Sequence, residues 1–213
     1  TAVVGDLYGA LDPKVDYWGP YSVAWSPDEL TLSQNMSQVY AGALPLVLLI
    51  GAGLARGLLW SREIRVYTIA LLITVLYALG HHTPFYEFAY AGLPGVSMFR
   101  RPADATFLIG GIVAIISGYL AHRTVCAGGS SACEKRRWAA KLTALAMLIA
   151  ASLAIAFARD RLGDVIKPVE TAVLLLAASL AIVWSWQRFG RERGLVCLAA
   201  TAALMVVDLR LNN

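Results

Sequence analysis

An all-α, polytopic transmembrane helical bundle of about six spans, with an outer loop carrying a short interfacial helix, is the fold class predicted by this 213-residue sequence. Three observations predict it. Long apolar stretches, each closed by aromatic or basic residues, fill most of the chain. Charged residues make up 15% of the composition against 58% hydrophobic ones, with a mean hydropathy of +0.62, whereas soluble domains carry about 25% charge. Lys and Arg concentrate in alternate loops, the pattern that orients helices in a bilayer. A soluble bundle is disfavoured because it needs polar helix faces, and the runs 106–121 and 169–186 have almost none.

Taken in order, residues 1–38 read as an extracytoplasmic loop segment, and 39–213 as the transmembrane domain. The loop holds Asp12-Pro13 and Asp16-Tyr17-Trp18-Gly19-Pro20. Its turn-forming dipeptides and dense aromatics suit a segment folded onto the membrane surface. Asn35-Met36-Ser37 matches a glycosylation acceptor in form only. The spans are predicted at about 39–55, 66–80, 106–121, 138–158, 169–186 and 195–207, since roughly 20 apolar residues cross about 30 Å of hydrocarbon. The second and last are short. The second borrows Ile64 and the snorkelling stem of Arg65; the last must bring Asp208 to the membrane edge or be cut off by the end of the chain.

Aromatic residues at Tyr40, Trp60, Tyr119, Trp138, Trp184 and Trp186 mark span ends, where an apolar ring keeps its polar edge wet. Gly51, Ala52, Gly53, Gly110, Gly111 and Gly118 are expected at close helix contacts. Eleven of the 18 basic residues, among them Arg56, Arg123 and Arg188, fall in the loops after the first, third and fifth spans, together with only three of the 14 acids. That side is assigned to the cytoplasm, which leaves both ends of the chain outside it. The formal charge of +4 and pI near 9.1 thus record topology, and no nucleic-acid partner is expected. The chain opens at Thr1 without a signal peptide and reads as part of a longer protein.

Three cysteines are too few for a disulfide scaffold. Cys197 falls within an apolar span, while Cys126 and Cys133 flank a Gly-Gly-Ser-Ser turn on the cytoplasmic side, where reduced thiols are expected. No metal site is expected from them, because no further ligand accompanies the pair.

Chemistry is expected on the outer face. In the loop from His81 to Ala105, the residues between Pro84 and Pro94 suit a short helix lying in the interface. Phe99-Arg100-Arg101-Pro102 then carries two guanidinium groups to the mouth of the third span. Arginine forks match phosphate oxygens in bidentate geometry, and a low-dielectric edge strengthens the pairing. Arg100 and Arg101 are therefore candidates for binding a lipid-linked phosphate; anchoring to headgroups, Asp104 or Glu87 is the plainer reading. His81 and His82 are included among the substrate-binding candidates, since they titrate near neutral pH, but adjacent histidines diverge on a helix and make a poor metal site. Asp16 and Asp208 are the acids considered for catalysis. A solvated loop acid and a charge reaching the interface are their plainer readings. No cofactor is predicted, and only a divalent cation is left open.

The run Thr83-Pro84-Phe85-Tyr86, followed by Leu93-Pro94-Gly95-Val96-Ser97-Met98-Phe99-Arg100-Arg101-Pro102, resembles the outer-loop signature of YfhO-type bacterial membrane proteins, which belong with the GT-C class of polytopic glycosyltransferases. Asn35-Met36 with Tyr40, Gly42-Ala43-Leu44-Pro45, and the closing Asp208-Leu209 with Asn212-Asn213 also resemble segments of that group. The resemblance implies sugar transfer from a polyprenyl-phosphate donor to a cell-envelope acceptor on the outer face of the bacterial cytoplasmic membrane. It carries Arg100 and Arg101 over as donor-phosphate ligands and implies a catalytic base in an earlier outer loop, ahead of this chain. Asp104 stands two places after Pro102, where the family often has a basic residue, so the pocket is less basic here. A transporter or flippase of lipid-linked sugars would use the same arginines but needs spans broken near mid-depth. A structural membrane subunit is the third reading, and an ion channel is least favoured for want of polar periodicity.

Overall fold

A computed structural model describes residues 40–80, 83–94, 96, 105–127, 162–189 and 194–212, with scattered helical positions between 143 and 157. The predicted loop 1–38 and most of the predicted span 138–158 lie outside the described residues, as does Cys133. Among the described residues the regular structure is helical throughout, with no strand. Three helices are long and apolar enough to cross a membrane: Thr106–Cys126, Val165–Phe189 and Gly194–Leu211. Two further apolar helices, Ala43–Ala55 and Arg65–Ala78, are shorter than a crossing requires.

The first apolar run does not form one uniform helix. After Gly42 it makes α1 (Ala43–Leu48) and then widens into a seven-residue π-helix, Leu49–Ala55. Gly57, at φ 71°, turns the chain into a 3-10 turn, Leu58–Trp60, that folds back onto the run. The fold-back is close: a Cβ on Gly53 would lie 3.0 Å from Cγ of Leu59. Helix α2 (Arg65–Ala78) begins where Thr68 donates its hydroxyl to the Leu59 carbonyl at 2.7 Å, and it stops before Gly80, at φ 53°. Fourteen residues span only about 21 Å, in line with the short second run.

Helix α3 (Pro84–Gly92) starts with Pro at its first turn, where the missing N–H costs nothing. It turns Tyr86 and Ala89 inward, with Tyr86 5.6 Å from the Tyr77 ring of α2, and leaves Phe88 and Tyr90 exposed. A short helix was expected here, and α3 forms it, with one face against the bundle and exposed aromatics on the other.

Helix α4 (Thr106–Ala127) runs six residues past its predicted end, because His122 and Arg123 leave the bundle without breaking helical geometry. Helix α5 (Leu162–Phe189) starts seven residues before the predicted 169, carrying Pro168 inside its second turn. Helix α6 (Gly194–Asn212) also outlasts its predicted end, and here the reason is specific: Asp208 is buried and partnered inside the bundle, so its charge does not stop the helix.

Packing places α1 at the centre. Val47 and Leu48 of α1 cluster with Ile116 and Leu120 of α4 and with Leu175, Leu176 and Val183 of α5. Buried hydroxyls of Thr124 and Ser179 donate to carbonyls one turn back, at 2.7 and 2.8 Å, which keeps them satisfied where no water reaches. Outward surfaces are strongly apolar; Phe107, Leu195 and Val196 are at least 65% exposed, as suits lipid contact.

Tyr119 of α4 holds the turn before α2. Its hydroxyl lies 3.1 Å from Ser61 Oγ and also bonds the Glu63 carboxylate, while the Arg123 guanidinium sits 6.0 Å from its ring centroid. Gly53→Val would overpack the fold-back against Leu59 and is expected to lower stability by about 1–3 kcal/mol. Adding Leu59→Ala should recover part of that loss in denaturant unfolding of the detergent-solubilised chain.

Candidate functional site

Two features occupy the end of the bundle where α1 begins and α6 finishes: a buried carboxylate and the mouth of an apolar groove. The carboxylate is built from the backbone of Tyr40-Ala41-Gly42-Ala43. Gly42 adopts φ 97°, a left-handed setting suited to glycine, and offers no side chain to cap α1. A helix start leaves its first N–H groups without intrahelical partners. Asp208, 165 residues further along the chain, takes over the capping. Its Oδ2 accepts the Ala43 N–H at 2.7 Å, and its Oδ1 accepts the Tyr40 hydroxyl at 2.6 Å. Pro45 removes another N–H from the same turn.

Asp208 is only 2% exposed, and a Cβ on Gly42 would stand 3.3 Å from its Oδ2. The backbone thus closes over the carboxylate, and negative charge at a helix start is favourable there. Of the two acids singled out in the sequence, Asp208 is therefore a cap joining the first and last helices. Asp16 lies outside the described residues.

The groove lies between α1, α4 and α6 and encloses about 600 Å³. On α4 it extends from Gly110 to Val125, about 22 Å of helix. One end of it is at Tyr40, Met205 and Leu209; the other is at His122, Gly194 and Trp186. Gly110 and Gly118 line it, with no atom within 4 Å of the position a Cβ would take. These two glycines were expected to bring helices together; instead they leave room, and the close contact is made at Gly53. Ser117 also lines the groove, and its buried hydroxyl has no hydrogen-bond partner among the described residues.

Trp186 was read as an interfacial aromatic, yet it is 6% exposed and donates Nε1–H to Thr201 Oγ1 at 3.2 Å, with Thr201 donating in turn to the Cys197 carbonyl. Trp184, two residues earlier and so on the other face, is 62% exposed as the membrane belt requires. The two-residue spacing was the available signal. Tyr40 escaped notice as a partner of Asp208 because nothing local links positions so distant.

His81, His82, Arg100 and Arg101 lie outside the described residues. The elements on either side are described: α3 ends at Gly92, and α4 begins at Thr106. Arg101 is five residues before Thr106, hence within about 18 Å of the start of α4. Among the described residues no group of three or more His, Cys, Asp or Glu could hold a metal. Cys126 and Cys197 are free thiols, the first exposed and the second buried.

Asp208→Ala would leave the Ala43 N–H and the Tyr40 hydroxyl unpaired, a loss of about 1–3 kcal/mol. Tyr40→Phe is expected to cost about 1 kcal/mol, and a double-mutant cycle read by unfolding in detergent should show coupling between the two positions. The chain matches no protein-family model, no curated protein and no solved structure.

Proposed function

We propose that this chain is the membrane domain of a GT-C-like glycosyltransferase of the bacterial cytoplasmic membrane, with both ends on the outer face. In this reading the groove receives the hydrocarbon chain of a polyprenyl-phosphate-linked sugar, and Arg100 and Arg101 hold the phosphate. The activity rests on the resemblance of the 83–102 run to YfhO-type proteins. The observation that carries the reading is the position of the groove: its wall at Gly110 lies one turn from the start of α4, and Arg101 stands five residues before that start in the chain.

The chemistry follows from this placement. An outer-loop carboxylate orients or deprotonates the acceptor, while the paired guanidinium groups stabilise charge on the departing lipid phosphate. Because Asp208 is committed to the α1 start, the base is assigned to an outer loop.

A second reading, movement of a lipid-linked sugar across the membrane, is favoured by one observation. The first apolar run departs from α-helical geometry at the π segment Leu49–Ala55, and carriers place irregular helical backbone at their binding sites.

Transfer from radiolabelled polyprenyl-phosphate sugars, measured in membranes carrying the full-length parent protein at matched expression, tests the proposal. Arg100→Ala and Arg101→Ala are each expected to lower transfer on the order of 100-fold, and Gly118→Phe, which fills the groove, to lower it as well. Unchanged transfer in both arginine variants would overturn the phosphate assignment. Facilitated exchange of the labelled lipid across vesicles without transfer would establish the second reading.

A further inference from the structure

The π segment has no local sequence cause such as a proline within it, and its two ends are held. At the outer end α1 is fixed through Asp208 to Ala43 and Tyr40. At the inner end Gly53 abuts Leu59, whose carbonyl is held by Thr68. A π-helix, with i→i+5 hydrogen bonds, carries more residues per turn than an α-helix. Between two fixed ends the surplus must therefore be placed somewhere, but its position along the run is not dictated by those ends.

What the run contains bears directly on this freedom. Leu46-Val47-Leu48-Leu49-Ile50 is an unbroken series of branched aliphatic side chains, followed by the small residues Gly51, Ala52 and Gly53. If the wide turn moves outward by one turn, each residue it passes advances one place, about 100° around the axis. Leu49 then occupies the seat of Leu48, and Ile50 that of Leu49. Such exchanges nearly conserve volume, and cores tolerate them well. Few sequences permit a register change in a central helix; this one replaces like with like at the seats of Leu48 and Leu49.

The seats concerned include the groove. Leu44, Pro45 and Leu48 form its α1 wall, and Leu48 is also a 2%-exposed member of the core cluster directly before the π segment. We propose that Leu46–Ala55 is a register switch. Its wide turn moves between the inner and outer halves of the run while both ends stay fixed, and Leu48 and Leu49 alternate at the groove wall. The switch exchanges one leucine for another at the groove wall and leaves the helices on either side in place. Pro45, which cannot adopt a second backbone setting, sets its outer limit.

Register shifts of helices occur in microseconds to milliseconds, a range read by methyl relaxation dispersion on the full chain in lipid nanodiscs with leucine, isoleucine and valine methyl labels. Exchange is expected at Leu48, Leu49 and Ile50, with flat profiles at Val183 in the facing helix. Deleting Gly51 removes one residue of the surplus and should abolish the exchange. Leu49→Ala, which leaves a small side chain to fill the Leu48 seat in the shifted register, should reduce its amplitude several-fold and decides the matter alone if the deletion variant does not fold. Flat profiles at all three residues of the parent chain, or exchange unchanged by Leu49→Ala, would overturn the switch.

Discussion

Burying the carboxylate of Asp208 is the constraint on which the arrangement depends. In a bundle this apolar, an ionisable group without partners is costly enough that the surroundings must be built around it. Here the surroundings are the start of another helix. The Ala43 amide needs an acceptor, Tyr40 supplies a second donor, and Gly42 takes a conformation that admits the carboxylate at close range. One side chain thus fixes where α1 starts, how far α6 extends and which ends of the two helices adjoin. The rest of the packing has less freedom than six loosely apolar helices would suggest, since lipid tails give helices no hydrophobic reason to choose one another.

With its outer end fixed, α1 becomes the centre on which α4 and α5 pack, and the groove is the space left where α6 stands away from α4. Small residues make that space. Gly110 and Gly118 leave α4 low along one stripe, while Gly53 serves the opposite purpose, admitting Leu59 against the inner end of the first run. The same residue type therefore produces a void in one helix and a tight contact in another. The neighbours decide which.

Much of this fold was legible in the sequence. Apolar length predicted the crossing helices from 106, 169 and 195, and the Pro84 to Pro94 spacing predicted α3 almost to the residue. Polarity alone misplaced the helix ends: Arg123 and Asp208 read as boundaries, whereas a backbone already in helical form continues past a charge that is solvated or partnered. The π segment was not legible, because Leu49–Ala55 is as apolar as the residues before it and hydropathy says nothing about hydrogen-bond register. For the candidate site, Asp208 was singled out as an acid for catalysis. Its role as a cap depends on a partner 165 positions away, beyond the reach of any local pattern. The arginine pair was the strongest chemical signal in the chain, and its meaning still rests on the chemistry of guanidinium groups and phosphates.

The distance between Asp208 and its partners along the chain also sets an order of events in biosynthesis. A ribosome adds about 5–20 residues each second, so the 165 residues separating Ala43 from Asp208 take roughly 8 to 33 s to make. Throughout that interval the first helix is already synthesised while its amide and the Tyr40 hydroxyl lack their eventual acceptor. Water, headgroups or the insertion machinery must serve in its place, and the contact forms only when α6 arrives.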